Sequence, residues 1–413
     1  MTPPLEEDFV RHEFGRLVAM LSRRAGVQHL DAIEDAVQAA LLAAVQSWPE
    51  RGAPENRSAW LFSVARNHVV GELRRRARQG AIAAEQASAA LDSMEDDSGV
   101  LLGGDLRDDL LRILFVCCDD ALPIESQLVL ALKTLCGFDV REIAERLFMT
   151  EANVYKRLGR ARSRLREAWT GSMEPTSEQL ASRLPGVLAI LYVLFTEGYL
   201  SSHAEGAIRR VLCDEARRLT EVLAEHPLGA TPETFALLAL MHFHLARMPA
   251  RQDGSGGLLL LEEQDRSRWD QAEIERGLSW LARSAEGSVF SRYHAEAGIA
   301  AEHGLAASFA EVRWDRIVDS YALLERVAPS PLHTLNRALA MAEWRGPADG
   351  LAVIEGLDPP SWLIGSYLWS AVLSDLHRRC GHVALAARYR SVALATAPSD
   401  AVRVALERRL RAP

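Results

Sequence analysis

Apolar residues recur along this chain at steps of three and four, as in Phe14, Leu17, Val18 and Leu21, and no stretch alternates convincingly at a step of two. A step of three or four places apolar side chains on one face of a helix, whereas a step of two would place them on one face of a strand. Sustained over 413 residues, the pattern predicts an all-α protein. Glycine and proline punctuate it at Gly26, Pro49–Pro54, Gly80, Pro123, Gly137, Pro175, Pro185, Pro227, Pro249, Pro329–Pro331 and Pro359–Pro360, which divides the chain into helix-length pieces. The length allows two or three domains, each able to bury its own core.

Three parts are expected: helices up to about residue 80, a second helical group over 106–170, and a longer helical part over 171–413. Between the first two lies 81–105, rich in Ala, Ser, Gly and acid, which reads as a flexible acidic linker. A composition 48% hydrophobic and 25% charged excludes fibrous and wholly disordered classes. The net charge of -9 would argue against a nucleic-acid binder, since such proteins carry a positive footprint. Mapped by segment, however, residues 1–80 carry +1, 81–109 carry -7, 110–170 carry +2 and the remainder -5. The acid is therefore concentrated in the linker, where Asp109 is its last member, and in the C-terminal part.

Five cysteines, an odd number without any C-x-x-C spacing, suggest neither a disulfide framework nor a zinc site and point to a reducing cytoplasm. The start, MTPPLEEDF, lacks the basic-then-apolar pattern of a signal peptide, and the run Val187–Phe195 is too short to span a bilayer. No membrane, metal or cofactor is expected.

The sharpest local pattern runs from Gly137 to Leu165. Asp139 suits an N-cap, and Arg141–Leu147 follows as a short amphipathic helix with Ile143, Ala144 and Leu147 inward. Phe148-Met149-Thr150 makes a tight turn, and Thr150 caps a second helix over Glu151–Ala168, where Val154 and Leu158 face the first. Small Ala144 lets the two helices cross closely. This is the plan of a helix-turn-helix, whose second helix enters the major groove N-terminus first. Near its start Thr150, Glu151, Asn153, Lys156 and Arg157 are placed for base edges, and Arg160 and Arg164 for phosphates.

A second basic helix follows Ser58, with Trp60, Leu61, Val64, Ala65, Val69 and Leu73 able to face a core and Arg66, Asn67, Arg74, Arg75, Arg76 and Arg78 outward. Arg51–Arg57 precedes it as a loop. The two modules, in this order and separation, resemble an extracytoplasmic-function sigma factor of bacterial RNA polymerase. Asp31–Trp48 looks like the region 2 helix that grips the polymerase clamp, with Asp31, Glu34, Asp35 and Gln38 as its polar face. The family pattern has a bulky aromatic where this helix has Leu41 and Leu42. The segment Asn56–Asn67 with its arginine tail looks like the part that opens and reads the -10 element, which implies roles for Asn56, Arg57, Arg66, Asn67, Arg74 and Arg75. Leu106–Trp169 looks like region 4, which reads the -35 element. The resemblance implies a non-catalytic subunit whose partners are the core polymerase, through its clamp and flap, and promoter DNA.

Beyond Trp169 the stretches around Leu184–Ser202 and Pro249–Asp270 resemble the long extension of one sigma subgroup, described as tetratricopeptide-like. Ala-Pro pairs at Pro329 and Pro398 lie 69 residues apart, close to two repeats of about 34 residues. In that subgroup the extension is thought to replace a separate anti-sigma protein, which implies intramolecular contact with regions 2 and 4. Asp253, Glu262, Glu263, Asp265, Arg266, Trp269 and Asp270 crowd near a Gly-rich loop that lacks a Walker lysine, so capped helices joined by a hairpin-like loop are expected there rather than an enzyme site. His242 and His244, two apart, fall on different helix faces and are not expected to pair on a metal.

Overall fold

The fold is that of a computed structural model, which describes residues 7–80, 103–119, 121–147, 149–168, 177–199, 210–254, 257–355, 357–398 and 400–410, together with Ala90, Asp92 and Met94. Among these residues every regular element is helical, save one isolated bridge between Gln252 and Leu258. The expected all-α class is what is found. The chain forms two compact units, one up to Ile190 and one from Leu191 on.

In the first unit, α1 (Glu7–Ala25), α2 (Leu30–Arg51) and α3 (Arg57–Arg78) pack on one another. The periodic residues Phe14, Leu17, Val18 and Leu21 are all buried, as are Ile33 and Val37 of α2 and Leu61, Val69 and Leu73 of α3. Next come α4 (Gly103–Cys117), α5 (Ile124–Thr134), α6 (Val140–Leu147) and α7 (Glu151–Ala168). Helix α1 packs on α4 and touches α5, so the two groups of helices form one body.

Two glycines permit that approach. A Cβ on Gly15 of α1 would lie 2.1 Å from the carbonyl oxygen of Leu135, a distance no side chain could accept. Gly137 takes the left-handed φ of 67° and sits so that a Cβ would come 3.1 Å from Phe14.

Most of the acidic stretch 81–105 lies outside the described residues. Of it, Ala90, Asp92 and Met94 are helical, with Ala90 and Met94 buried and Asp92 exposed. Asp109, counted above with the linker acids, instead belongs to α4 and is buried, 3.3 Å from the guanidinium of Arg23.

Helix α8 (Ser177–Tyr199) runs across the boundary between the units. Its window Leu180–Tyr199 is long and apolar enough to cross a membrane by length and composition, which the shorter run noted in the sequence did not suggest. Yet Leu184, Val187, Leu188, Leu191, Leu194 and Phe195 are buried at helical spacing, as in a core helix.

The second unit continues through α9 (Arg210–Glu225), α10 (Pro232–Arg247), α11 (Gln271–Ser284), α12 (Arg292–Leu305), α13 (Trp314–Val327) and α14 (Pro331–Trp344). It closes with α15 (Pro347–Glu355), α16 (Ser361–Ile364), α17 (Tyr367–Arg379), α18 (Val383–Ala395) and α19 (Asp400–Arg409). From α10 to α15 each helix packs on its successor, and so do α16 to α19. The apolar residues accordingly form a row of local clusters, around Phe243 and Trp269, Ile317 and Leu324, Leu335 and Leu376, and Leu406 and Leu410. Pro329 and Pro398 fall in the gaps before α14 and α19.

Candidate nucleic-acid interface

The helix-turn-helix builds itself from local chemistry. Asp139 Oδ1 accepts from the Glu142 backbone N–H at 2.7 Å, and Glu142 Oε2 accepts from the Asp139 N–H at 2.9 Å, so α6 starts on a reciprocal cap. Thr150 Oγ1 accepts from the Asn153 N–H at 3.3 Å and starts α7. Ile143 and Ala144 of α6 are buried, as are Val154, Leu158, Ala161 and Leu165 along one side of α7. Phe148, expected in the turn, lies outside the described residues.

Burying that stripe leaves Glu151, Asn153, Lys156, Arg160, Arg164 and Arg166 exposed on the other side. Arg157 is half-buried, 3.8 Å from Glu125, and Arg164 lies 3.3 Å from Glu167. Tyr155, 62% exposed beside Lys156, belongs to the same surface. It is not among the DNA-facing residues expected from the sequence. A tyrosine next to the buried Val154 must point away from the core, and that signal was present.

Arg162 departs from the others on α7. Its guanidinium is joined to the Glu34 carboxylate of α2, to which Thr134 also donates, at 2.7 Å. Glu34 is 1% exposed. Burial pushes its carboxyl pKa up, against the pull of Arg162 and the Thr134 hydrogen bond. The four residues expected to form one polar face on α2 therefore separate. Glu34 is closed off inside the unit. Asp31 is half-buried, 3.1 Å from Arg76 of α3, while Asp35 and Gln38 alone are exposed. Leu42 and Val45, 58% and 52% exposed, extend that outer line, whereas Leu41 is buried.

On α3, Asn56 caps the helix through Oδ1, which accepts from the Ala59 N–H at 2.9 Å. Arg57 is exposed, 5.8 Å from the Trp48 ring, and Trp48 meets Trp60 edge-on at 5.5 Å. Trp60 and Val64, expected in the core, are half-buried. Asn67 and Arg74 are exposed and Arg66 is half-buried. Arg75 binds Glu72 through two nitrogens at 2.6 and 2.7 Å. Arg76, expected outward, is half-buried between Glu72 and Asp31. Hydrogen bonds from Arg75 and then Arg76 pull the Glu72 carboxyl down to about 2.

Residues 9–79 match the sequence pattern of sigma-70 region 2, residues 114–165 that of sigma-70 region 4, and residues 183–285 a family of unknown function (DUF6596). The chain belongs to the sigma-70 family, as an extracytoplasmic-function-type sigma factor with a C-terminal extension. An uncharacterized protein of Rhizobium meliloti (strain 1021), R00370, is 35% identical over 383 residues, which span 92% of this chain and 90% of that one. No solved structure matches. Sigma-70 factors are transcription regulators that work with core RNA polymerase and promoter DNA, and they form a non-catalytic family.

Within this sigma factor, region 2 comprises α1–α3 and the helix-turn-helix of region 4 is α6 and α7. The polar cluster of the extension is engaged in local structure. Asp253 Oδ1 accepts from Gly257 N–H, Glu263 from Leu260, Asp265 from Ser267 and Asp270 from Glu273. His242 Nδ1 lies 2.6 Å from Glu273, while His244 stacks on Tyr199, so the two histidines do face apart. Among the described residues no cluster could hold a metal ion.

Proposed function

We propose that this sigma factor directs promoter-specific initiation through residues 1–80, which bind core polymerase and the -10 element, and residues 106–170, which read the -35 element. Residues 81–105 act as the acidic linker and residues 171–413 as a regulatory, tetratricopeptide-like extension. The observation that carries the reading is the outer side of α7: a line of exposed cations opposite a buried apolar stripe, on a helix capped at the turn of a helix-turn-helix. In this reading Asn153, Lys156 and Arg157, with Thr150 and Glu151 at the cap, meet base edges, and Arg160 and Arg164 meet phosphates. On region 2, Asn56, Arg57, Arg66, Asn67, Arg74 and Arg75 serve the melted strand. Asp35, Gln38 and Leu42 meet the clamp, beside the more enclosed Asp31 and Glu34, and region 4 meets the flap. The protein works in the cytoplasm, where polymerase and promoter are.

The extension stands in for a separate anti-sigma protein by contact with regions 2 and 4. Its net charge of -5 suits the basic faces it would approach. Run-off transcription with core polymerase tests the whole. The full chain is expected to initiate from its promoter with core alone; a requirement for a second sigma factor would make it an activator instead. A version ending at Tyr199 keeps α8, whose Arg183 pairs with Asp119 at 2.9 Å, and is expected to change transcription activity. Unchanged core binding and transcription would remove the regulatory role.

A further inference from the structure

The second unit contains a cavity of 510 Å³ enclosed by α8, α10, α13, α14 and the loop that follows α10. That volume suits a small organic molecule, since ligand pockets span about 300–1,000 Å³. Four rings line it: Tyr192, Phe195 and Tyr199 from α8, and Tyr321 from α13. Phe195 and Tyr199 lie nearly parallel with centroids 5.9 Å apart, and His244 of α10 leans against both, 4.4 Å from Tyr199.

Two cations, Arg247 and Arg251, share the wall, and no carboxylate lines it. Arg251 sits over the Tyr199 ring at 3.9 Å and donates to the Tyr199 carbonyl. Among the described residues Arg247 reaches the neutral Gln264, at 3.3 Å, and the face of Trp269. Burial and the neighbouring Arg247 charge push Arg251 down from its ordinary value, against the pull of Tyr199.

Two polar atoms at the same place have no hydrogen-bond partner among the described residues: Tyr199 Oη and His244 Nδ1. Tyr199 is 4% exposed, and burial holds His244 well below the usual histidine range, hence neutral. Buried polar groups left idle in this way are uncommon and costly. Leu259, Leu260 and Leu261, also in the lining, belong to the loop whose Leu258 carbonyl accepts from Arg408 of α19.

We propose that this cavity is a binding site for a small organic anion built on an aromatic ring, such as an aryl carboxylate or aryl phosphate. The ring lies against Phe195 and Tyr199, and the anionic group meets Arg247 and Arg251. The site gives the extension a chemical input, and it does not rest on the transcriptional reading above.

Isothermal titration of the full chain tests it with 2-naphthoate and phenyl phosphate as probes and 2-naphthalenemethanol as the neutral control. At least one anion is expected to bind one-to-one, and 2-naphthoate at least tenfold tighter than the alcohol. Arg251→Gln and Arg247→Gln, made separately and checked for an unchanged circular-dichroism spectrum, are expected to erase that preference. Thr196→Phe, which narrows the cavity without touching its charge, is expected to weaken both naphthalene compounds at least tenfold. The proposal fails if neither anion binds. It fails equally if the alcohol binds as tightly as 2-naphthoate, or if the preference survives in every correctly folded arginine variant.

Discussion

Helices α3 and α7 are alike as sequences and unlike as surfaces. Each is amphipathic, each turns arginines outward, and each was expected to reach DNA. On α3 the arginines Arg75 and Arg76 are tied to Glu72 and Asp31 at the helix surface. On α7 one arginine, Arg162, is drawn inward to the buried Glu34, and Lys156 and Arg160 stay exposed with no acidic partner within 4 Å among the described residues. The acids decide the difference. A carboxylate at the surface shares a cation with water and salt, whereas a carboxylate inside a core claims it and fixes the helix that carries it. How many arginines a helix offers to a partner therefore depends on where its acids are.

The largest expected effect follows from the buried pair. Glu34→Ala leaves Arg162 and Thr134 without their acceptor, and Arg162→Ala leaves a buried carboxylate without its cation. Each is expected to destabilise the first unit by ~3–5 kcal/mol, because removing one partner of a buried ion pair leaves the other uncompensated. The double variant should lose less than the two singles together. Arg76→Ala on α3, by contrast, should cost no more than about 1 kcal/mol, as half-exposed ion pairs do. Urea unfolding curves of the four variants check this. Equal costs on the two helices would dissolve the distinction between them.

The same contrast sets opposite pH dependences. Glu72 is held down at about 2, so the stability it lends is present above the ordinary glutamate value and is lost only as the pH falls towards 2. Glu34 is shifted up, and so is Asp109, which burial raises to about 6 despite Arg23, Arg24 and Arg112 nearby. Their contribution is present below the ordinary carboxyl values and is lost as the pH rises through the raised ones. Acidification from pH 7 to 5 should therefore raise the melting temperature of the wild-type first unit relative to that of Asp109→Asn, while His29, which burial holds below the ordinary histidine value, lowers both alike. Asp109→Asn should stabilise the unit at pH 7, where an elevation from 3.8 to about 6, which already includes the attraction of Arg23, corresponds to ~3 kcal/mol. Thermal melts of both proteins at the two pH values read it. An equal response to acidification in the two proteins would place Asp109 in water.

What the sequence could show divides along the same line. The helical class, the capped turn at Asp139 and Thr150, and the exposed side of α7 follow from spacing and local chemistry, which one strand of sequence carries in full. Glu34 and Arg162, 128 positions apart, read separately as a polymerase-facing acid and a DNA-facing base. Only the packing of the two groups of helices into one unit makes them partners. Asp109 read as one more acid of a linker for the same reason. Of the two partners of Arg76, Glu72 four residues away was legible as a helical pair, whereas Asp31, 45 residues away, was not. The cavity beneath Tyr199 was out of reach, because its walls come from five separate segments whose residues each look like ordinary core or loop.

The smallest effect concerns DNA itself. Arg160→Ala removes a cation that has no carboxylate to give up, so it should weaken holoenzyme binding to promoter DNA by ~1 kcal/mol and lower the slope of log K against log salt by about 0.9. Arg75→Ala removes a cation already paired with Glu72 at 2.6 Å. To reach a phosphate Arg75 must first leave that carboxylate, so its loss should change the slope by clearly less. Glu72→Gln would release it, and Arg75→Ala made in that background should then approach the Arg160→Ala value. Fluorescence anisotropy of labelled promoter fragments over a potassium chloride series measures all four slopes. Equal slopes for Arg75→Ala and Arg160→Ala in the native background would mean that surface pairing with Glu72 does not limit what α3 offers to DNA. The contrast between the helices would then reduce to Arg162 alone.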